Sequence, residues 1–340
     1  MKINLISDTI TKPTPAMLQA MMSAEVGDDV YKEDPTVNAL EEKVAKLFGM
    51  EAALFFPSGS MANQAAIKLH TQPGEQLICH EYAHVFNYEG GGASFNSGVS
   101  CRLLPGDYGM MTAEAVEAAI NPPDFYHSPL TSLVCIENTT NKGGGACWSM
   151  DELKKIKDVC VKHDLGYHLD GARLWNAMVA TGETPEQYGS LFDTISVCLS
   201  KGLGCPIGSV LVGKKKFLDK AIRVRKILGG GMRQVGYLAA AGIYALDNHI
   251  DRLADDHRRA KEIGTALSAL KQIKYVAPLA TNIVIFEMEE SLCTAPQFME
   301  ALKERNIFIS GMGQGKLRIV THLDYTEEMH SAFLEVLGSL

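Results

Sequence analysis

The stretch SVCLSKGLGCPIGSVLVG (residues 196–213) carries one charged side chain, Lys201, between two apolar runs. Each run is typical of a strand buried on both faces of a sheet. Apolar flanks desolvate an amine, as a Schiff-base lysine requires. Gly202, Gly204 and Gly208 follow at once and would let the backbone approach a ligand closely. The flanks favour a reactive lysine over the alternative, an exposed turn residue.

Outward from this stretch, strands and helices alternate between about residues 38 and 245. Predicted strands are AALFF (52–56), EQLIC (75–79), SLVCIEN (132–138), YHLD (167–170), TISVCLS (194–200) and GSVLVG (208–213). Predicted helices are NALEEKVAKLFG (38–49), MANQAAIKLH (61–70) and a segment capped by Ser149. Strands that are apolar throughout and alternate with helices predict an α/β fold with a largely parallel sheet covered on both faces.

The pattern changes at about residue 246, where a long charged helix leads into TNIVIFEM (281–288), NIFIS (306–310) and LRIVTH (317–322). These segments predict a smaller α/β domain with its own sheet. We therefore predict a large domain over 1–245, with an N-terminal arm over about 1–30, and a small domain over 246–340.

The composition is that of a globular protein, with 46% hydrophobic and 21% charged residues among 340. A net charge of −8 argues against a nucleic-acid surface, and no apolar stretch reaches membrane-spanning length. Eight cysteines are scattered without a C-x-x-C pair, and the N-terminal apolar segment is too short for a signal peptide. We therefore expect a cytoplasmic protein with no nucleic-acid or membrane partner.

Asp170 in HLDGARL (168–174) ends a predicted strand, on the side of a parallel sheet where ligands collect. It precedes Lys201 by enough chain for one strand–helix–strand passage. Pyridoxal phosphate needs an Asp for its ring nitrogen and a Lys for its aldehyde. The alternatives for Asp170 are a helix cap or a salt bridge with Arg173.

A phosphate-binding turn is predicted at Ser58-Gly59-Ser60-Met61, between a strand and a helix. Free amides, hydroxyls and the helix dipole converge at such a position. Alone this signal is weak. Together with Asp170 and Lys201 it becomes the third part of one cofactor site.

Six long segments resemble the signature segments of the threonine aldolases: SDTITKPTPAML (7–18), GDDVYKEDPTVNALE (27–41), HLDGARLWNA (168–177), LSKGLGCPIGS (199–209), GGGMRQVGYLAAAGIYAL (229–246) and LRIVTHLD (317–324). The resemblance implies a large domain like that of aspartate aminotransferase, with a mainly parallel seven-stranded sheet. It also implies the pyridoxal-phosphate-dependent cleavage of L-threonine, L-allo-threonine and related β-hydroxy-α-amino acids to glycine and an aldehyde, by a homotetramer built as a dimer of dimers.

The resemblance also implies site residues. Lys201 would carry the cofactor, Asp170 would hold its ring nitrogen and Arg173 its phenolate oxygen, while His84 would stack on the ring. The other implied cofactor-binding residues are Ser58, Gly59, Ser60, Met61, Ser200 and, approaching from a neighbouring subunit, Lys226 and Arg233. Arg318 and Ser7 would hold the substrate carboxylate, a task suited to a guanidinium. No metal site is expected.

The base that takes the β-hydroxyl proton stays open between His84 and His127, acting directly or through water. The sequence also departs from the family at two places. Ile6 precedes Ser7 where the family often has Arg, and Thr140 stands where it often has His. These departures leave the choice between threonine and allo-threonine, and the size of the aldehyde, open.

Two kinds of rival reading remain. His80-Glu81-Tyr82-Ala83-His84 matches the H-E-x-x-H pattern of zinc metallopeptidases, but the predicted helix there has barely two turns. Within the same fold group, an aminotransferase or a β-eliminating lyase would use the same lysine and aspartate. Product identity separates these from an aldolase.

Overall fold

The computed structural model describes residues 1–340 and contains thirteen strands. The strands are β1 (Ile3–Asn4), β2 (Ala52–Phe56), β3 (Gln76–His80), β4 (Ser100–Leu104), β5 (Thr131–Glu137), β6 (Gly166–Gly171), β7 (Thr194–Cys198), β8 (Ser209–Gly213), β9 (Ile273–Val276), β10 (Ile283–Met288), β11 (Ile307–Phe308), β12 (Ser310–Gly313) and β13 (Lys316–Val320).

Fourteen α-helices surround the sheets. They are α1 (Pro15–Met22), α2 (Pro35–Leu47), α3 (Gly59–His70), α4 (His84–Asn87), α5 (Gly92–Ser97), α6 (Ala113–Ala118), α7 (Met150–Lys162), α8 (Leu174–Thr181), α9 (Pro185–Leu191), α10 (Lys215–Ile227), α11 (Gly236–Asn248), α12 (Leu253–Ser268), α13 (Ala295–Lys303) and α14 (Glu327–Gly338). None of them is long and apolar enough to cross a membrane.

The main sheet has seven strands in the order β2-β8-β7-β6-β5-β3-β4. All neighbours are parallel except β8, which is antiparallel to both β2 and β7. The predicted α/β fold with a mainly parallel seven-stranded sheet is therefore confirmed. Within this sheet, β4 is the strand that the sequence pattern did not indicate. It lies at the edge of the sheet, where alternate residues are exposed to solvent, so it lacks the continuous apolar run of the inner strands.

The inner strands are apolar on both faces because helices cover both. Every residue of β3, β7 and β8 is buried. The largest cluster of the core joins 42 buried side chains, among them Phe48, Trp175 and Tyr188. The carboxyl ends of β5, β6 and β7 therefore meet at one edge of a rigid sheet, where side chains from three strands can converge.

A second sheet, in the order β12-β13-β10-β9, is antiparallel throughout. Its core of 17 buried side chains includes Ile3 and Leu5, because β1 pairs in parallel with β11. The first residues of the chain thus pack in the core formed by the last eighty. Apart from this strand, the cores lie on either side of about residue 255, and the boundary at 245/246 stays a prediction.

Candidate active site

A cavity of about 250 Å³ opens at the carboxyl edge of the main sheet. It is lined by Thr9, Ser58, Gly59, Ser60, Asn63, His84, Asp170, Ala172, Ser196, Cys198, Ser200, Lys201, Pro206 and Ser209. Seven of the residues predicted from the sequence are therefore brought together. The fold explains this, because the chain leaves β2, β6 and β7 at the same edge.

Lys201 lies in the loop between β7 and β8, three residues after the end of β7. Its backbone oxygen accepts a hydrogen bond from the Thr11 hydroxyl at 2.8 Å, which ties the loop to the N-terminal segment. Its ammonium makes no ion pair. The side chain is therefore anchored at its backbone and free at its tip, as a covalent carrier requires.

Glycine is required after Lys201 for a different reason from the predicted closeness to a ligand. A Cβ on Gly204, which has φ of +78°, would lie 2.6 Å from Leu323. A Cβ on Gly208, at φ of +117°, would lie 2.7 Å from the ring of Phe55. Both positions need glycine because of backbone conformation and protein packing rather than closeness to a ligand.

Asp170 is the last residue but one of β6, its side chain lines the cavity, and only 2% of the residue is exposed. One carboxylate oxygen accepts the Ala172 N–H at 3.1 Å. The other, Oδ2, is buried with no hydrogen-bond partner. A buried carboxylate oxygen without a donor is costly, and a protonated ring nitrogen would satisfy it. The alternative salt bridge with Arg173 is not formed.

The phosphate-binding turn opens α3. The helix begins at Gly59, two residues earlier than predicted, and the Ser58 hydroxyl caps it by accepting the Met61 N–H at 3.2 Å. Amides of the first turn have no acceptor within a helix and attract anions. Gly59 and Ser60 face the cavity, whereas Met61 does not line it and packs near Gly230.

His84 opens the single-turn helix α4. Its backbone N–H donates to Glu137 at 2.7 Å, and its Nδ1 donates to the Glu89 carboxylate at 2.9 Å. This leaves Nε2 as the free ring nitrogen. Burial alone would lower the pKa of His84, but the hydrogen bond to Glu89 and the Asp170 charge outweigh it and raise that pKa.

Glu137 lies beside Asp170 in the β5–β6 pairing. Burial and the nearby Asp170 charge raise the pKa of Glu137 to about 7. Hydrogen bonds from the backbone N–H groups of Asn141 and His84 act in the opposite direction and lower that pKa, but by less. The edge of the sheet therefore holds two interacting acids, one of which changes charge near neutral pH.

The zinc-peptidase pattern does not form a zinc site. His80 ends β3, so it is not on a helix with His84. Its Nε2 donates to the Gly106 carbonyl at 3.1 Å, and its Nδ1 accepts the Tyr82 N–H at 2.9 Å. Both ring nitrogens are therefore committed to backbone groups.

Arg318 lies on β13 and faces a second, adjoining cleft of about 490 Å³, which also touches His84. Its guanidinium donates to the Asn141 side chain at 2.9 Å and to the Ile6 carbonyl at 3.2 Å, while its Nε is buried without a partner. Ser7 follows Ile6, so its backbone lies near Arg318, while its hydroxyl accepts the Thr9 N–H at 3.2 Å and does not line the cleft.

Arg173 and Asp8 form a buried ion pair that sequence reasoning missed. The guanidinium donates through Nε at 2.7 Å and through Nη2 at 2.6 Å. Burial alone would raise the pKa of Asp8, but the Arg173 charge and hydrogen bonds bring that pKa down to about 2. Contact between Arg173 and a cofactor oxygen stays a prediction.

We expect Asp8→Asn to lower the free energy of unfolding by about 3–5 kcal/mol, because it leaves a buried guanidinium without its counter-charge. Urea denaturation at pH 7 measures this loss. Asp151→Asn is the control, since its pair with Lys154 is exposed and contributes at most about 1 kcal/mol. Equal losses in the two variants would contradict the assignment.

The same pair predicts a pH dependence. The folded-state pKa of Asp8 lies below its usual 3.8, so ionisation of this carboxyl adds about 2 kcal/mol to stability relative to its neutral form, in full above about pH 5. It is lost as the pH falls toward 2. This part of the acid sensitivity should be absent from Asp8→Asn.

Three further predicted site residues lie at the surface, away from the cavity. His127 is exposed on the loop before β5, at the opposite edge of the sheet. Arg233 is half exposed and pairs with Asp28 at 2.7 Å. Lys226 is exposed near the end of α10. Their roles stay predictions.

Asn63 is a polar residue that no motif indicated. Its Oδ1 accepts hydrogen bonds from Ser196 at 2.6 Å and from the ring of His168 at 3.2 Å. Its Nδ2 donates to Glu89 at 2.9 Å. Asn63 thereby connects the floor of the cavity to the carboxylate that orients His84.

These features fit pyridoxal phosphate: an unpartnered buried carboxylate oxygen, an unpaired lysine and a helix N-terminus share one cavity. The fold and site define a pyridoxal-phosphate-dependent enzyme. Comparison with known proteins identifies the family. The beta-eliminating lyase family model matches residues 4–291.

Curated relatives are similar over nearly the whole chain. Low-specificity L-threonine aldolase 1 of Arabidopsis thaliana is 42% identical over 95% of this chain and 92% of its own length. The low specificity L-threonine aldolase of Escherichia coli is 41% identical over 96% and 95%. The chain therefore belongs to the threonine aldolases, within the beta-eliminating lyase family. A threonine aldolase structure from Leishmania major shares the fold, with a TM-score of 0.85 at 23% identity and 99% coverage of both chains.

Proposed function

We propose that this enzyme cleaves L-threonine and L-allo-threonine to glycine and acetaldehyde, and related β-hydroxy-α-amino acids to glycine and other aldehydes. One observation supports this most strongly: Asp170 with its unpartnered oxygen, Lys201 and His84 line a single cavity that adjoins Arg318. When bound, pyridoxal phosphate supplies an electron sink for the electron pair left by breaking the Cα–Cβ bond.

The residues of the chain divide the remaining tasks. Asp170 keeps the cofactor's ring nitrogen protonated, and the first turn of α3 binds its phosphate. Arg318, braced by Asn141, binds the substrate carboxylate and so fixes the orientation of the Cα–Cβ bond. Glu89 fixes His84 so that Nε2 is its free ring nitrogen, and either this imidazole or that of His127 exchanges the β-hydroxyl proton.

The products test the proposal. The purified enzyme, supplied with pyridoxal phosphate, is given L-threonine and L-allo-threonine separately, and glycine and acetaldehyde are measured. Equal amounts of the two products support an aldolase. If a keto acid forms only when an amino-group acceptor is added, the enzyme is an aminotransferase. If a keto acid and ammonia form without an acceptor, it is a β-eliminating lyase.

We further propose that neighbouring copies of the chain, arranged as a dimer of dimers, complete the site with His127, Lys226 and Arg233. Phe125 and Tyr126, beside His127, expose 52% and 85% of their surfaces, which suits a surface that a second copy covers. Eight free cysteines suit a reducing compartment, and we propose that the enzyme works in the cytoplasm.

Co-expressing a histidine variant with a lysine variant tests the shared site. We expect His127→Asn to lose about tenfold or more in kcat, as removal of a proton-transfer group does. Co-expression with Lys201→Ala should restore activity, because some mixed sites receive an intact lysine and an intact histidine from different chains. If the co-expressed protein has only the summed activity of the two variants made separately, a contribution across subunits is contradicted.

A further inference from the structure

Lys142 is a cation without a counter-ion at the mouth of the site. It follows Asn141 in the loop after β5, and it is half buried. Its ammonium lies 5.1 Å from the ring centre of Tyr88 and 5.6 Å from that of Tyr82. No carboxylate lies within ion-pair distance of it. The aromatic faces hold the charge in place without neutralising it.

Lys142 lines the same cleft of about 490 Å³ as His84 and Arg318. The other lining residues are Tyr88, Asn141, Ser310, Gly311 and Met312, so no acidic side chain faces this cleft. The two cations are also linked through Asn141, since this residue precedes Lys142 and accepts a hydrogen bond from Arg318. The cleft is thus lined by two basic side chains and no acidic one.

Threonine supplies only one negative group to this cleft, its α-carboxylate. A methyl group on Cβ gives Lys142 nothing to bind. A substrate with a second carboxylate on its side chain would offer one carboxylate to Arg318 and the other to Lys142.

We propose that the enzyme also cleaves β-hydroxy-α-amino acids whose side chain ends in a carboxylate, and that Lys142 binds this second carboxylate. The inference rests on the proposed function. The shortest such substrate is 3-hydroxyaspartate, which yields glycine and glyoxylate. The Cα–Cβ bond breaks and leaves its electron pair on Cα, the β-hydroxyl loses its proton as the aldehyde C=O forms, and Cα gains a proton. No oxidant or reductant is needed.

The test compares kcat/KM for each L diastereomer of 3-hydroxyaspartate with kcat/KM for L-threonine. The enzymes are the wild type, Lys142→Met, Lys142→Arg and the control Lys261→Met, a surface lysine of α12. We expect Lys142→Met to lower the 3-hydroxyaspartate-to-threonine ratio by about 10- to 100-fold, mostly through KM. Lys142→Arg should keep most of the ratio, and Lys261→Met all of it.

Binding of unreactive analogues gives a second readout. L-Aspartate and L-2-aminobutyrate lack the β-hydroxyl and cannot undergo the cleavage. Calorimetric titration should show that Lys142→Met weakens L-aspartate binding by a similar factor and leaves L-2-aminobutyrate binding unchanged.

The outcomes separate the two proposals. If the enzyme cleaves threonine but not 3-hydroxyaspartate, the role of Lys142 is overturned and the aldolase assignment remains. The same holds if Lys142→Met loses activity equally for both substrates. An equal loss would make Lys142 a structural support for Tyr88. Failure to form glycine from threonine would overturn the aldolase and, with it, this inference.

Discussion

Lys201→Ala will lose at least about a thousandfold in kcat for threonine cleavage, because it removes the only group placed to hold the cofactor covalently. Lys201 lies three residues beyond the buried strand β7, and its ammonium reaches the cavity without an ion-pair partner. No other lysine lines that cavity. Glycine and acetaldehyde formation measures the loss.

Covalent attachment gives a second readout for Lys201. Borohydride reduction of the cofactor-loaded wild type, followed by peptide mapping, should label Lys201. The variant should show no label there and no absorption band that reduction abolishes. Lys261→Ala, on the exposed face of α12, is the control and should match the wild type. A labelled peptide that does not contain Lys201 would refute the assignment.

Asp170→Asn will have the second largest effect. The substitution keeps the shape of the side chain and removes its charge, so a protonated ring nitrogen loses its buried partner. Loss of one partner of a buried ion pair costs about 3–5 kcal/mol. If this cost falls mainly on the transition state, kcat drops by roughly 10²- to 10⁴-fold. Steady-state kinetics at saturating cofactor measures it.

The control for Asp170 is Asp193→Asn. Asp193 is another buried aspartate beside the main sheet, but it precedes β7 at the opposite edge and binds Lys214 and the Tyr167 N–H. We expect this variant to lose stability while keeping its kcat. If the two variants lost kcat equally, the effect of Asp170→Asn would be general damage to the sheet and the role in the cofactor site would fall.

Much of the fold was predictable because its signals are local. Strands β2, β7 and β8 are short apolar runs, and each was predicted to within two residues. Lys201, Asp170 and the Ser58 turn each end or follow such a strand. Because the carboxyl ends of parallel strands meet at one edge, the amino-acid sequence alone was enough to place these three groups together.

The rest depended on contacts between distant parts of the chain. The partner of Arg173 is Asp8, 165 residues away, and no spacing rule connects them. Asn63 sits inside a helix pattern that reads only as a helix, although its side chain joins Ser196 to Glu89. The glycines after Lys201 pointed correctly to close approach, but what comes close is Phe55 and Leu323, which only the folded chain brings there.

The pairing of β1 with β11 has a consequence for how the enzyme matures. β1 leaves the ribosome long before β11, so it must wait until residues 307 and 308 have been synthesised before its partner exists. Closing so long a loop is slow and disfavoured by chain entropy. Ser7 and Asp8 come soon after β1, so we expect the contacts that brace Arg173 and border Arg318 to form at that late step. A newly made chain should therefore complete its large sheet well before it becomes competent for catalysis.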